Sequence, residues 1–220
     1  MSANPVAWRH LGRIDYVECT ALQDAVWAEV VRGEPSEVVL TLEHDPVVTV
    51  GRRGSHEDLL SSAAVLASRG VQVVEANRGG ELTYHGPGQL VIYAILDIRT
   101  RGIAVGDLVR GLAGAVGDEL DRLGIDTVYD AERPGLWTKA GDDGVKICAV
   151  GMRIQKGVSR HGAAVNVTTG LEAFDLFVPC GLPQASATSI LAERGEAPSV
   201  EELAERVVAN LRRRLDLRAP

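Results

Sequence analysis

The feature that most constrains the fold is a long amphipathic segment between Val105 and Leu123. Its apolar side chains recur every three or four positions on one helical face, at Val105, Leu108, Val109, Leu112, Val116, Leu120 and Leu123. A helix with a single apolar stripe has to bury that stripe against another layer of the protein. The pattern therefore predicts a helix that packs on a core built by other segments.

Two further segments show helical spacing. The C-terminal one runs from Val200 to Leu215 and is preceded by Ser199, with Glu202 three residues later, which is the pattern of a capping box. A weaker helical pattern runs from Thr20 to Val31. We therefore expect three main helices.

Short runs rich in β-branched residues lie between these helices and predict strands, because Gly, Pro or Asp bounds each of them. The runs are Glu37 to Leu42, Val47 to Val50, Val71 to Val74, Leu90 to Leu96, Val145 to Met152 and Ala163 to Val167. No repeat and no long linker divides the chain. We expect one α/β (α+β) domain over residues 1–220, with a mixed β-sheet flanked by helices.

Composition excludes several classes of function. The net charge of -7 argues against a general nucleic-acid binder, and an aromatic content of 4% leaves little surface for stacking bases. The N-terminus lacks a signal-peptide pattern, and no apolar run is long enough to span a membrane. We expect a cytoplasmic protein that binds neither nucleic acid nor membranes.

The cysteine pattern predicts free thiols. Cys19, Cys148 and Cys180 are odd in number and show no CxxC spacing, so neither a disulfide framework nor a cysteine zinc site is indicated. Asp142 and Asp143 lie in a short acidic stretch that predicts a turn, since nothing nearby completes a ligand set. We expect no metal and no cofactor.

The most unusual stretch, RGGELTYHGPGQ, runs from Arg78 to Gln89. Glycine at this density costs chain entropy unless the backbone turns sharply or approaches a ligand closely. The stretch is compatible with a ligand-lining loop and equally with two tight turns around a short strand. It matches neither the P-loop pattern nor GxGxxG before a helix, so a phosphate cradle is weakly supported.

Cys180 lies in FVPCGLP, between a proline and a glycine. A thiol on such a turn suits attack on an incoming thioester, and thioester exchange would let it store an acyl group without ATP. A free cysteine is also often a small buried hydrophobe. By its position alone Cys180 is a candidate nucleophile rather than an assigned one.

Several residues could serve as a base for such a thiol. Lys146 lies in the apolar stretch VKICAVGM, where an ammonium is unusual unless it reaches a cavity, although it could also end in solvent at a strand start. Strand alternation would place Cys148 on the same face as Lys146, which makes Cys148 a rival thiol. His85 and His161 are alternative bases, and sequence spacing does not choose among the three.

Taken together, these segments resemble the lipoyl(octanoyl) transferase family, also called lipoate protein ligase B. The resemblance covers about Glu37 to Ser189 and rests on the order of five pieces. They are LEHDPVVTVGRR, RGGELTYHGPGQLVIY, GLWT, VKICAVGMRI with SRHGAAVNV, and FVPCGLP followed by ATS. One departure is Cys148, where the family's segment reads KIA.

The resemblance implies a fold similar to the catalytic domains of biotin and lipoate protein ligases. It also implies a catalytic dyad in which Cys180 forms an acyl thioester and Lys146 assists as an acid and base. By the same resemblance, three segments hold the acyl chain: Arg78, Gly79, Gly80, Glu81, Leu82, Thr83, Tyr84 and His85; Ala149, Val150 and Gly151; and Gly162, Ala163 and Ala164.

The partners that the resemblance implies are protein substrates. The donor would be octanoyl-acyl carrier protein, and the acceptors would be apo lipoyl domains of 2-oxoacid dehydrogenase complexes and the glycine cleavage H protein, with the enzyme a monomer. Carrier proteins are usually acidic and this chain is net negative, so local basic patches would have to steer them. The candidates are Arg52 and Arg53, Arg78, and the group Arg153, Lys156 and Arg160.

Two other functions stay open at this point. An ATP-dependent lipoate or octanoate ligase would share the fold but need no cysteine nucleophile, and such ligases usually have an HDxGN-like segment where this chain has HGPGQ. A non-catalytic module that binds acyl chains or acyl carriers would leave Cys180 as inert packing. Thiol-dependent turnover separates the transferase from both.

Overall fold

The computed structural model describes residues 5–138, 144–178 and 187–218. In these ranges the strands are β1 (Ala7–Ile14), β2 (Val38–His44), β3 (Val47–Val50), β4 (Gln72–Glu75), β5 (Leu82–His85), β6 (Gln89–Ile95), β7 (Thr127–Asp130), β8 (Gly135–Thr138), β9 (Lys146–Gln155) and β10 (Val158–Asn166). The helices are α1 (Tyr16–Val31), α2 (Ala63–Ser68), α3 (Val105–Arg122), α4 (Ile190–Arg194) and α5 (Val200–Leu215), with 3₁₀ turns at His56–Asp58 and Leu171–Leu176.

These strands form a large and a small sheet. The large sheet has the order β1-β2-β6-β10-β9-β8-β7, and the small one has the order β4-β3-β5. Each sheet contains one parallel pair, β1 with β2 and β3 with β4, and its other described pairs are antiparallel. The expected mixed sheet flanked by helices is therefore confirmed.

Strand β6 lies between β2 and β10 in the large sheet and is buried on both faces. Its even-numbered residues from Leu90 to Leu96 pack in the cluster that contains α3 and α5. Its odd-numbered residues Val91, Tyr93 and Ile95 pack against α1 on the opposite face. A strand covered on both faces reads as a continuous apolar run, which is why this segment lacks alternation in the sequence.

The small sheet has its own apolar cluster and is joined to the large sheet by backbone. The Gly79 N–H, in the loop before β5, donates to the Met152 carbonyl oxygen of β9 over 3.2 Å. A Cβ on Gly151 would lie 2.9 Å from the Gly79 carbonyl oxygen, so neither position has room for a larger side chain. This close approach requires the glycines at both positions.

The predicted helices are confirmed. The helix from Val105 ends at Arg122 with Leu123 as its cap, and α5 has the predicted bounds and capping box. Helix α1 begins at Tyr16, four residues before the predicted start. The Asp15 carboxylate accepts hydrogen bonds from the N–H groups of Val17 and Glu18, and this cap extends the helix beyond its apolar pattern.

The predicted strands are present within a few residues of their expected bounds, but four strands were not predicted: β1, β5, β7 and β8. Strand β10 begins at Val158, five residues before the expected start at Ala163, because buried Ser159, Arg160 and His161 interrupt its apolar pattern. The glycine-rich stretch forms two turns around a short strand, which is one of the two structures that the sequence predicted. Strand β5 lies between Gly80 and Gly88, which both have positive φ.

Helix α5 lies near the C-terminal end of the described residues and packs against α3. The Asn210 amide donates to the Ala115 carbonyl oxygen and to Glu119 of α3. The Val6 N–H donates to the Arg218 carbonyl oxygen over 2.8 Å, which brings the two ends of the described chain together. No helix in the described ranges is long and apolar enough to cross a membrane.

Candidate active site

A cavity of about 770 Å³ opens beside the two sheets. Its wall comes from the loop before β5 and from β5, β9 and β10, and its rim includes the start of α3 and the turn between β7 and β8. Small residues at Ala149, Gly151, Gly162 and Ala164 keep the floor open along β9 and β10. The cavity therefore occupies the space that larger side chains on these strands would fill.

The residues expected to hold an acyl chain line this cavity, with one exception. Tyr84 points to the other side of β5, where its ring packs edge-on against Phe174 at a centroid distance of 5.8 Å. Strand alternation explains the difference, because Thr83 and His85 on either side both face the cavity. The others that line it are Arg78, Gly79, Gly80, Glu81, Leu82, Ala149, Val150, Gly151, Gly162, Ala163 and Ala164.

Arg78 is an anchor of the small sheet rather than a surface charge. It is buried, and its guanidinium donates to the Thr49 hydroxyl and to the Thr49 carbonyl oxygen at 2.7 to 2.9 Å. These bonds fix the loop before β5 against β3. The expectation that Arg78 steers a carrier protein at the surface is therefore wrong.

Lys146 is the first residue of β9 and lines the cavity. Its backbone pairs with Trp137 of β8 on one side and with Ala187 on the other. Its ammonium nitrogen lies 4.7 Å from the centroid of the Trp137 ring. The side chain is thus placed at the cavity wall by strand pairing on both sides and by an aromatic contact.

Cys148 does not share the face of Lys146. The register between β8 and β9 shifts at this point, so Leu136 pairs with Cys148 while Trp137 pairs with Lys146. Such a bulge interrupts the alternation of side chains. Cys148 is fully buried in the core cluster, and burial raises the pKa of its thiol to about 12. The expectation of a shared face is therefore wrong.

Cys180 lies outside the described residues, as do Asp142 and Asp143. The chain on either side of the Cys180 segment is placed by backbone hydrogen bonds. The Val178 N–H donates to the Asp58 carbonyl oxygen over 2.8 Å, and the Thr188 N–H donates to the Lys146 carbonyl oxygen over 3.0 Å. The residue before the segment therefore lies beside the small sheet, and the residues after it lie beside Lys146.

A chain of side-chain hydrogen bonds fixes the orientation of His85. The Gln89 amide nitrogen donates to the Tyr84 carbonyl oxygen and to the Asn166 side-chain oxygen. The Gln89 oxygen then accepts from Nδ1 of His85 over 2.7 Å. Burial holds the pKa of His85 well below its usual value. The ring is therefore neutral, with Nε2 left as a hydrogen-bond acceptor.

His85 belongs to a buried cluster with Tyr16, His44, Tyr93 and His161. Neighbouring rings in it are 5.1 to 6.0 Å apart between centroids. His44 contacts the Ile14 carbonyl oxygen through Nδ1 and the Tyr93 hydroxyl through Nε2, both at 2.9 Å. The sequence analysis did not single out Tyr16, His44 or Tyr93, because no local motif reports that α1, β2 and β6 meet.

His161 has a left-handed backbone, with a φ of 59°, and its ring lies at the cavity. Burial and the nearby arginines Arg160, Arg78 and Arg153 lower its pKa to about 3. Burial likewise lowers the pKa of His44 to about 4. The histidines of this cluster are neutral at physiological pH, so they are weak general bases.

Basic side chains line the rim of the cavity. Arg52 and Arg53 are exposed on the turn after β3, while Arg110 and Arg133 are paired with Asp107 and Asp130 respectively. Arg160, expected as part of a surface patch, is instead buried and paired with Asp24 beneath α1. Its charge is not available to a docking protein.

Within the described parts of the chain, no group of three or more His, Cys, Asp or Glu side chains is arranged to hold a metal ion. The cavity instead offers an apolar floor, neutral histidines and a basic rim. This arrangement suits a ligand with an apolar chain and an anionic group.

Known proteins resemble this chain along nearly its whole length. The family described as lipoyl protein ligase A/B catalytic domain matches residues 15–212. A protein of Chloroflexus aurantiacus named octanoyltransferase is 42% identical over 203 residues, which cover 92% of this chain and 90% of the relative. An octanoyltransferase of Koribacter versatilis is 37% identical, with 91% of this chain and 80% of the relative covered.

Solved structures share the fold. A bipartite lipoate protein ligase from Thermoplasma acidophilum superimposes with a TM-score of 0.72 at 15% identity, covering 100% of this chain and 86% of that one. Biotin protein ligase from Aquifex aeolicus gives a TM-score of 0.57 at 13% identity, with 96% and 70% covered. The expected similarity to the ligase catalytic domains is therefore confirmed for the fold.

The buried histidines predict a pH dependence of stability. The pKa values of His44 and His161 fall to about 4 and about 3, below the ordinary value of 6.5 that applies once the chain unfolds. Between these values the unfolded chain binds more protons than the folded one. We expect the free energy of unfolding, measured by urea denaturation, to decrease as the pH falls from about 6.5 towards about 4.

Two variants serve as a comparison for this pH dependence. His44→Gln should show a shallower slope, because one buried titrating group is removed. His56→Gln should not make the slope shallower, because it removes an exposed ring that pairs with Glu75 rather than a buried one. Identical slopes in all three proteins would mean that the buried histidines do not control acid stability.

The two described thiols should resist alkylation in the folded protein. Cys19 and Cys148 are buried, and burial raises the pKa of each to about 12. Only the thiolate reacts at a useful rate. Peptide mapping after iodoacetamide treatment at pH 8 should find both unmodified in the native protein and modified in guanidinium. Native modification as fast as in the denatured control would contradict this assignment.

Proposed function

The chain belongs to the lipoyl protein ligase A/B catalytic domain family, and we propose that its octanoyl transfer runs from acyl carrier protein to a lysine of lipoyl domains through Cys180. The protein is an acyltransferase of protein lipoylation, as its relatives named octanoyltransferase indicate. In this proposal residues 1–220 form one catalytic domain, which acts as a monomer in the cytoplasm.

The observation that carries this proposal is the position of Lys146. It lies in the cavity wall, and the chain that follows the Cys180 segment pairs with it at Ala187. Eight residues, 179–186, connect Val178 to Ala187 and include Cys180. We propose that this short connection brings the Cys180 thiol to the Lys146 ammonium, which is the arrangement that a Cys/Lys dyad needs.

The proposed reaction has two steps. The Cys180 thiolate attacks the carbonyl carbon of the octanoyl thioester, and the carrier thiol leaves. The neutral amine of the acceptor lysine then attacks the Cys180 thioester, which forms an amide and releases Cys180. An amide is more stable than a thioester, so the second step is favourable. Lys146 stabilises the thiolate and exchanges protons with the departing thiol and the incoming amine.

The octanoyl chain is proposed to lie on the apolar floor of the cavity. Ala149, Gly151, Gly162 and Ala164 leave room for it, and Leu82 and Thr83 of β5 face it from the small sheet. His85 lines the cavity as a neutral ring. Enclosure by these residues protects the thioester from hydrolysis, because water has to be excluded from the reacting carbonyl.

The cavity is larger than the acyl chain requires. Eight carbons at about one water volume each occupy roughly 240 Å³. The cavity measures about 770 Å³, and the remaining space adjoins Arg52 and Arg53 at the rim. Within the described ranges neither arginine forms an ion pair with an acidic side chain. We propose that this region receives the phosphopantetheine arm of octanoyl-acyl carrier protein.

The acceptors in this proposal are apo lipoyl domains of 2-oxoacid dehydrogenase complexes and the glycine cleavage H protein. They follow from the family and its reaction, and the same cavity mouth would admit their lysine after the carrier protein has left. One entrance for both substrates agrees with a reaction in which Cys180 holds the acyl group between two encounters.

Intact mass spectrometry tests the thioester route. Wild type, Cys180→Ser and Cys148→Ser are mixed with octanoyl-acyl carrier protein without ATP, and an apo lipoyl domain is then added. We expect an octanoyl adduct on wild type and on Cys148→Ser that the lipoyl domain discharges, and no thioester on Cys180→Ser. Cys148→Ser is the matched control, because Cys148 is buried in the core away from the cavity.

Two outcomes of this experiment would overturn the proposal. If no variant carries an adduct, and the lipoyl domain is modified only when free octanoate and ATP are supplied, the protein is an ATP-dependent ligase. If the lipoyl domain is modified under neither condition, the protein binds acyl groups without transferring them.

The basic rim gives a second prediction. Reversing Arg52 and Arg53 to Glu should slow acylation by octanoyl-acyl carrier protein about tenfold or more at low salt, because rim charges act mainly on the association rate. Acylation by a small octanoyl thioester should be unchanged. The difference should shrink in high salt, since exposed charges are screened. Stopped-flow or quenched mass spectrometry gives both rates.

The matched control for this reversal changes the same charge elsewhere. Arg9 and Arg69 are exposed and do not line the cavity, so Glu at both positions should leave both donors unaffected. Equal slowing of both donors by the Arg52 and Arg53 reversal would show that these residues do not recognise the carrier protein.

A further inference from the structure

Trp137 lines a small cavity of about 30 Å³ that borders Lys146, and neither the motif nor the reaction explains its role. It is buried in the short strand β8, directly opposite Lys146 in the strand pairing. The chain has only three tryptophans. One of these three indoles is therefore buried beside the proposed catalytic cation, Lys146.

The indole contacts two cations. The Lys146 ammonium nitrogen lies 4.7 Å from the centroid of the Trp137 ring, and the Arg133 guanidinium carbon lies 4.0 Å from it. Indole is the best of the aromatic rings at attracting a cation, and the attraction increases when water is excluded. The charge of Arg133 is already balanced by Asp130 over 2.6 Å.

The ring itself is firmly held. Its Nε1–H donates to the Arg133 carbonyl oxygen over 3.1 Å. Gly135, two residues earlier, has no room for a side chain, because its Cβ would collide with the Cys148 carbonyl oxygen and would lie 3.4 Å from the Lys146 Cε. Strand β8 therefore approaches β9 closely, and the ring cannot move away from Lys146 without disturbing both strands.

The remaining surroundings of Lys146 strengthen its contact with Trp137, because a cation–π attraction increases where water is excluded. The side chain borders a second, small cavity of about 30 Å³, where Thr83 and Asn166 supply oxygen atoms and Leu82 and Phe174 supply apolar surface. These four neighbours carry no charge. Among the described residues, Arg133 with its partner Asp130 shares the indole with Lys146, and the buried Cys148 thiol lies two positions along β9.

We propose that Trp137 is a positioning residue whose ring holds the Lys146 ammonium at the cavity wall, where it acts in acylation. The proposal rests on the proposed role of Lys146 in octanoyl transfer. Trp137 acts through Lys146 and contacts neither substrate in this account.

The proton balance then follows. In the proposed resting enzyme Cys180 is a thiolate and Lys146 is an ammonium. Attack on the donor carbonyl forms the new carbon–sulfur bond and breaks the old one, and the departing thiolate takes a proton from Lys146. Lys146, now neutral, accepts a proton from the acceptor amine as that amine attacks. Cys180 leaves as a thiolate, and the ammonium is restored.

The test measures single-turnover acylation of Cys180 by a small octanoyl thioester as a function of pH. Trp137→Leu should slow acylation about threefold to thirtyfold, the range that corresponds to the usual strength of a cation–π contact. In this variant the alkaline limb of the pH–rate profile should move to lower pH, because the Lys146 ammonium loses the ring that stabilises it. Trp137→Phe should lie between Leu and wild type, because a phenyl ring attracts a cation less strongly.

Two controls separate positioning from general loss of structure. Trp8→Leu removes a tryptophan from β1, on the far edge of the large sheet, and should leave the rate and the pH profile unchanged. In a Lys146→Met background, Trp137→Leu should add no further slowing, because its effect passes through Lys146. Thermal denaturation of each variant shows whether it is folded at the assay temperature.

The outcomes are distinguishable from a failure of the proposed function. If wild type forms no thioester, the Cys180 route fails before Trp137 is considered. If wild type is acylated and Trp137→Leu keeps both its rate and its pH profile, the inference about Trp137 is overturned alone. Additive losses in the Lys146→Met background would also overturn it.

Discussion

The backbone contact between Gly79 and strand β9 is the constraint on which the site depends. It brings the loop before β5 within hydrogen-bonding distance of Met152, and the glycines at 79 and 151 are the reason that such an approach is possible. Arg78 then ties the same loop to Thr49 of β3. The small sheet is therefore held against the large one at one edge, and the cavity is the space left between them.

The polar groups around this cavity are divided by their charge. Deep in the protein, His44, His85 and His161 are neutral because burial lowers the pKa of each. At the rim the arginines stay charged and reach solvent or carboxylates. An apolar acyl chain can therefore lie beside neutral histidine rings and the small residues of the floor, while an anionic group stays at the mouth.

Much of the fold could be predicted from the sequence, because α3, α5 and the central strands carry strong apolar patterns. The ends of α1 and β10 could not, since a side-chain cap and buried polar residues override the pattern there. The dyad candidates Cys180 and Lys146 came from motif order. The bulge that separates Lys146 from Cys148, and the meeting of Trp137 with Lys146, depend on the register of β8 and β9, which no local pattern encodes.

Helix α5 carries no residue of the cavity, but it packs in the cluster that holds one face of the strands β6, β9 and β10. Leu203, Val207 and Leu211 pack in the same cluster as β6 and α3, and the bond between Val6 and Arg218 joins positions at opposite ends of the described chain. During synthesis, a nascent chain that stops short of α5 exposes the apolar face of the central strands. This apolar face therefore stays uncovered until α5 has been synthesised, and during that time it is open to contacts with other apolar surfaces.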